Sequence, residues 1–294
     1  MAPNTIRAKD MPNVNDVEIT RIEPISGWVD LGLKELWEYR ELLFFLTWRD
    51  IKVRYKQTIL GFAWAVLQPL FTMIVFNVIF NRLAGMTSDG IPYPLFSFAA
   101  LVPYYFFSNS LTQGANSLLA SSAMIKKIYF PRLTVPIGAV LAGLVDFMLS
   151  FIVLLGMLAY FVIFEGFDPN LSINVLMMIP LLLLLFCTSL GMGLWFSALN
   201  AQFRDVRYIV PFLAQALLFL SPIAYPISRF PRNVQLFASI NPITGVAEGF
   251  RWALLGTDTA PGPMILISTA VSLLLLISGA YYFRRMEKTV ADVM

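Results

Sequence analysis

The sequence predicts an all-α integral membrane protein with about six spanning helices, and three observations carry that prediction. Apolar residues fill 58% of the 294 positions and charged residues only 13%, against about 25% charged in a soluble domain. The mean hydropathy of +0.71 lies outside the range of ordinary soluble chains. The few charges cluster between long uncharged runs, so they mark loops and ends.

Two classes of chemistry drop out at once. There is no His, and the single cysteine, Cys187, lies within an apolar run; disulfides within the chain and His or Cys metal sites are excluded, and no metal centre is expected. The first 30 residues mix Arg7, Lys9, Asp10, Asp16, Glu18, Arg21 and Glu23 and lack an apolar core followed by a small-residue cleavage site. They read as a polar tail (1–30) rather than a cleaved signal peptide.

Residues 31–58 read as an amphipathic interfacial helix. Leu33, Trp37, Phe44, Trp48, Ile51 and Tyr55 fall on one side, and Arg49, Lys52 and Lys56 stack elsewhere. Such a helix serves either as a membrane-surface anchor with snorkelling lysines or as a partner contact.

Crossing a hydrocarbon core of about 30 Å takes about 20 apolar residues, because every backbone polar group must be satisfied within the segment. Six segments qualify, roughly 60–80, 94–114, 135–164, 172–200, 208–227 and 263–283, each closed by charges or turn residues. The third and fourth exceed the minimum and are expected to tilt or protrude. With both termini in the cytoplasm, 17 of the 21 Lys and Arg residues face inward, leaving Arg82, Arg229, Arg232 and Arg251 outside. Residues 288–294 then form a cytoplasmic C-terminus.

Between the fifth and sixth spans, Asn241-Pro242 offers an N-cap and a first-turn proline, and Gly256 a stop, enclosing about 14 residues. That is too short to cross. With the short stretch 228–239, broken by Pro231, it reads as a re-entrant outer hairpin; the alternative is a surface loop with one helix lying flat.

Asp146 is the one ionisable residue deep within a span, about 15 Å along its helix. Such residues pair or face a cavity. A proton-coupling role needs relay partners that neighbouring spans lack, so structural hydrogen bonding, to Asn77, Gln215 or a serine, is the expectation. Tyr104-Tyr105-Phe106-Phe107 and Phe212, Phe219 and Tyr225 are either packing and interfacial-belt residues or a channel lining on which sugar faces stack. The chain has no G-x-x-x-x-G-K-[ST] run, Gly-x-Ser-x-Gly elbow or His-dependent triad, so it is not expected to be an enzyme, and energy must come from elsewhere. The basic stretch 121–132, with Lys126-Lys127 and Tyr129-Phe130-Pro131-Arg132, reads as a short helix parallel to the membrane.

Trp48-Arg49-Asp50-Ile51-Lys52-Val53-Arg54-Tyr55-Lys56-Gln57-Thr58, with Leu60-Gly61, Trp64 and Gln68-Pro69, resembles the permeases of the type-2 ABC family that export lipopolysaccharide O-antigen, capsule and teichoic acid chains. The resemblance continues through Lys126-Lys127, Phe130-Pro131-Arg132, Phe203-Arg204-Asp205-Val206, Ser221-Pro222-Ile223, Tyr225-Pro226, Asn241-Pro242 and Glu248-Gly249-Phe250-Arg251. It covers all but the first 30 or so residues and makes 59–287 the transmembrane domain.

What the resemblance implies is a homodimer docked on two copies of a separate nucleotide-binding subunit, which holds ATP and Mg²⁺; this chain has no cofactor of its own and no nucleic-acid partner. The substrate is a polyprenyl-linked glycan, moved outward across the bacterial inner membrane. By position, Arg49, Lys52, Arg54, Lys126, Lys127, Tyr129 and Arg132 couple to the ATPase, Trp64, Phe212, Phe219 and Tyr225 line the channel, and Asn241, Pro242, Glu248 and Arg251 belong to the outer gate. Rival expectations are a type-2 ABC exporter of a drug or free lipid, and a membrane enzyme acting on a polyprenyl-linked sugar.

Overall fold

The computed structural model describes residues 32–56, 61–169, 172–257 and 261–293, without the side chains of Leu33 and 288–293. The tail, Gln57, Thr58, Leu60 and Asp258 lie outside them. The described residues form helices and connections, with no strand among them. In order these are α1 (Leu33–Glu38), α2 (Arg40–Tyr55), α3 (Ala63–Phe76), α4 (Tyr93–Ala120), α5 (Ser122–Ile125), α6 (Thr134–Glu165), α7 (Met178–Gln202), α8 (Val206–Leu220), α9 (Arg232–Ala238), α10 (Pro242–Leu255) and α11 (Gly262–Val293). A π-helical stretch, Asn77–Leu83, continues α3, and a 3₁₀ turn, Ile173–Met177, leads into α7.

Among the described residues, four helices are long and apolar enough to cross a membrane: Ala63–Leu83, Thr134–Glu165, Ile173–Gln202 and Gly262–Glu287. α4 has the length, 28 residues, but polar side chains at Ser108, Asn109, Thr112, Gln113 and Asn116 lower its hydropathy. It can carry them because it is the central helix, touching α3, α6, α7, α8 and α10, with Leu95, Phe98, Ala99, Leu101, Phe107 and Leu111 fully buried. Small residues let its neighbours close in: a Cβ on Gly114 of α4 would sit 3.3 Å from Gly193 Cα of α7.

The segment expected to span 208–227 differs. α8 ends at Leu220 after 15 residues, about 22 Å, because Pro222 disfavours helix at the preceding residue and Ser221 is extended (φ −89°, ψ 149°). The irregular stretch that follows is buried at Ser221, Pro222, Ile223 and Ala224. Its carbonyls therefore need protein donors.

α10 supplies most of them. It starts as its sequence dictates, with the Asn241 side chain accepting from Ile243 N at 3.1 Å and Pro242 in the first turn. It stops at Gly256, whose φ of 66° is left-handed. Twelve of its 14 residues are buried and it packs on α4, α7 and α11, so it is a core element and not a helix lying flat on the surface.

α2 runs along the first part of α6: Leu46 and Thr47 lie over Gly138, and Arg54 reaches Asp146. Leu46 is buried, while Trp37, Phe44, Phe45 and Trp48 turn outward.

Candidate functional site

Three neighbouring cavities form one track beside α2, α3, α4 and α6. The innermost, about 260 Å³, is bordered by Arg49, Asp50, Arg54, Gln113, Asn116 and Ser121. The next, about 200 Å³, shares Arg54 and Gln113 and adds Tyr55, Trp64, Gln68, Asn109 and Asp146. The third, about 690 Å³, shares Trp64 and Gln68 and adds Leu67, Phe71, Thr72 and Tyr105. The track thus passes from charged groups, through amides, to aromatic rings.

The sequence dictates this lining by helical period. Tyr105, Asn109, Gln113 and Asn116 recur at three- to four-residue intervals and lie along one side of α4; Trp64, Gln68 and Phe71 do the same on α3. Thr72 Oγ1 and Tyr105 Oη, 2.6 Å apart, tie the two helices, while Tyr104 donates to Ala214 O of α8 at 2.6 Å.

Asp146 pairs with the Arg54 guanidinium, and this corrects the expected partners: neither Asn77, Gln215 nor a serine holds it. The reason is that α2 leans on α6 and delivers a cation from outside the spans. Arg49 is also turned inward, donating to Asp50 Oδ1 at 2.9 and 2.7 Å and to Ser121 Oγ at 3.3 Å. Of the three cations grouped for coupling on this helix, Lys52 alone is exposed, with its ammonium 5.4 Å from the Trp48 ring.

In the loop after α5, Lys126, Lys127, Ile128 and Tyr129 all project, while Phe130 is buried at 4% exposure. Arg132 does not project: its guanidinium donates to Glu287 O and its backbone N–H to Glu287 Oε1. Glu287 also pairs with Arg284 at 2.5 Å, and Arg284 with Glu35 at 3.3 Å. The loop base, α1 and the end of α11 are thereby joined.

Among the candidate lining residues, only Trp64 borders the track. Phe212 and Phe219 are exposed on α8, whose opposite edge is buried through Val206, Val210 and Ala214; Phe219 lies 6.4 Å from Phe76 of the α3 segment. Tyr225 packs on Phe230, ring centroids 5.7 Å apart. Tyr105 stood among the aromatic residues read as packing or channel lining, whereas Gln68, Phe71, Asn109 and Gln113 were given no lining role by sequence, although the polar stripe on α4 is a periodic signal that could have found Asn109 and Gln113.

The hairpin residues form a separate, closed cluster. Arg251 is fully buried. It donates to Phe96 O at 3.1 Å, Pro222 O at 2.6 Å, Ile223 O at 2.8 Å and Glu248 Oε1 at 2.7 Å, with its guanidinium carbon 3.5 Å from the Phe96 ring centroid. Tyr93 donates to Ala224 O at 2.7 Å, and Asn241 Nδ2 to Ser221 Oγ at 2.8 Å. Burial pushes the Glu248 carboxyl up, against the Arg251 charge that pulls it down.

Residues 41–255 match the family described as ABC-2 type transporter. The chain is similar to the O-antigen export system permease protein RfbA of Myxococcus xanthus, 29% identical over 88% of this chain and 98% of that protein. A protein of the same description from Klebsiella pneumoniae is 27% identical over 86% and 95%. The polysialic acid transport protein KpsM of Escherichia coli is 25% identical over 82% and 91%.

Proposed function

The chain belongs to the ABC-2 type transporter family, and from that premise we propose that it is the permease subunit of an ATP-driven exporter of lipid-linked polysaccharide. The observation that carries the reading is the row of three neighbouring cavities, lined in turn by charged groups, amides and aromatic rings, groups a glycan can use, since ring faces stack on sugars while polar groups exchange hydrogen bonds with their hydroxyls. The names of the relatives, O-antigen and polysialic acid transporters, support the same substrate class.

In this proposal the chain lies in the bacterial inner membrane, both termini cytoplasmic, with α3, α4, α6, α7, α8 and α11 as six spans. α1 and α2 form the interfacial helix, and α9 and α10 the re-entrant outer hairpin. Two copies assemble on two nucleotide-binding subunits, which hold ATP and Mg²⁺. The projecting tip at Lys126, Lys127 and Tyr129 receives their motion, and Arg132, bonded to α11, passes it on. Lining residues on α3 and the open face of α8, Phe212 and Phe219 included, meet across the homodimer.

Deleting the chain from its host tests this. Surface polysaccharide should vanish while lipid-linked glycan accumulates inside; unchanged surface glycan with increased drug sensitivity would replace the reading by drug export. Purified alone, the chain should hydrolyse no ATP.

A further inference from the structure

The geometry points to a closed ring of contacts at the inner face, in which Arg284 and Glu287 of α11 are positioning residues that make the interfacial helix and the basic loop 121–132 move as one body. The inference rests on the reading of the chain as a permease driven by a partner at that loop, and it adds the route by which the push reaches α2 and the track.

The ring closes through residues far apart in the chain. The loop is fastened at both ends and projects only between them. At its start Ser121, 3% exposed, accepts from Arg49 of α2 at 3.3 Å. At its end the Arg132 guanidinium donates to Glu287 O, and the Arg132 backbone N–H to Glu287 Oε1. Glu287 pairs with Arg284 at 2.5 Å, and Arg284 with Glu35 of α1 at 3.3 Å. From Glu35 the chain runs back to Arg49 as one rod. Tyr39 N–H donates to Glu35 O at 3.1 Å and Leu43 N–H to Tyr39 O at 3.0 Å, so helical bonds bridge the turn between α1 and α2.

Two features mark the joint with α11 as more than a surface ion pair. The Arg284 and Glu287 side chains are only 11% and 16% exposed, which limits screening by solvent and salt. Gly32, at the entry to α1, has a left-handed φ of 61°, and a Cβ there would collide with the Arg284 guanidinium. The backbone of α1 therefore lies directly against Arg284.

Beyond the ring, α2 carries Arg54, whose guanidinium pairs with Asp146 of α6 beside the track. A displacement of the tip at Lys126 and Lys127 is shared by both fastened ends of the loop. One pulls the rod at Arg49, and the other pulls it at Glu35 through Glu287 and Arg284. These two points lie about 21 Å apart along the rod. Loaded at both, the rod translates; loaded at one, it would pivot about the other. If the bilayer alone held the helix, its apolar face would anchor it, and none of these bonds to the loop and α11 would be needed.

The test has two arms. In the first, the purified full chain in lipid nanodiscs, with no partner present, is followed by hydrogen exchange at α1 and at the loop 121–132. Arg132→Ala should speed exchange in α1 about 5-fold, and Glu35→Gln should speed exchange in the loop by a similar factor, because coupling between two sites is reciprocal. Glu38→Gln, at an exposed position of α1, should leave the loop unchanged. The Glu35 side chain is 30% exposed, so Glu35→Gln keeps the fold and decides alone if Arg132→Ala does not fold. In the second arm the chain is co-expressed with its ATPase, and exported glycan is measured per ATP hydrolysed. Glu35→Gln and Arg132→Ala should each lower that ratio about 5-fold with hydrolysis retained, and the double variant no further than the worse single one, since both cut the same ring. Exchange that stays local to each substitution, an unchanged ratio in all variants, or a double variant reduced about 25-fold, as independent sites would give, would overturn the ring. A wild-type chain that exports no glycan removes the permease reading instead, and the ring then stands or falls on the exchange alone.

Discussion

Two arginine–carboxylate pairs lie inside this helical bundle and are finished in opposite ways. At the hairpin, Arg251 is fully buried and spends its donors on three carbonyls and Glu248 while lying against the Phe96 ring. At the track, Arg54 keeps 22% of its side chain exposed, and its partner Asp146 retains a bare oxygen beside unpaired amides. Saturation fixes a structure, because irregular backbone can stay buried only if its carbonyls find donors. The second pair is left partly unsaturated and partly open. The same residue pairing thus closes one part of the bundle completely and another only in part.

The sharpest way to break this comparison is to remove each arginine in turn. Arg251→Met leaves Glu248 uncompensated and strips Phe96, Pro222 and Ile223 carbonyls of a donor, a loss of about 3–5 kcal/mol. The variant is expected to vanish from the monodisperse fraction in fluorescence-detected size exclusion. Arg54→Met should cost less, about 1–3 kcal/mol, because that pair is partly open to solvent; the protein stays folded with a lowered melting temperature, and export falls. If Arg54→Met proved the more damaging to the fold, the ranking of the two pairs as fasteners would be reversed.

Smaller effects sharpen the contrast away from the two pairs. Lys126→Glu with Lys127→Glu should leave stability within about 0.5 kcal/mol, since both side chains project, while coupling of a co-expressed ATPase to export is lost. Arg132→Ala should add a stability cost of about 1 kcal/mol, because Arg132 is bonded to Glu287. Phe71→Ala, at a side chain 69% exposed, should change stability by no more than about 0.5 kcal/mol, yet slow export.

The fold was legible wherever a local rule decides it. Asn241, Pro242 and Gly256 carry their own start and stop chemistry, and α10 begins and ends at them. The long apolar runs became α6, α7 and α11 because hydropathy and helix length are properties of a single segment. What escaped depends on residues far apart in the chain. Arg54 and Asp146 are 92 positions apart, and only the lean of α2 on α6 brings them together. Likewise the irregular backbone beyond α8 stays buried because its carbonyls find Arg251, 28 and 29 positions later. The lining of the track was half visible: Trp64 was singled out by its motif and Tyr105 by the aromatic density around it, whereas Asn109, Gln113 and Asn116 on the same side of α4 were passed over because the rings of that helix drew attention first.

The central claim is that glycan travels along the α3–α4 track, and a bulky label placed there tests it most directly. In a Cys187→Ala background, Gln68→Cys and, as control, Leu274→Cys on the outward face of α11, 65% exposed, are labelled with the same large maleimide in export-competent cells. Export of surface polysaccharide should stop when Gln68→Cys is labelled and continue when Leu274→Cys is labelled to the same extent. Undiminished export through a chain fully labelled at Gln68→Cys would place the route elsewhere.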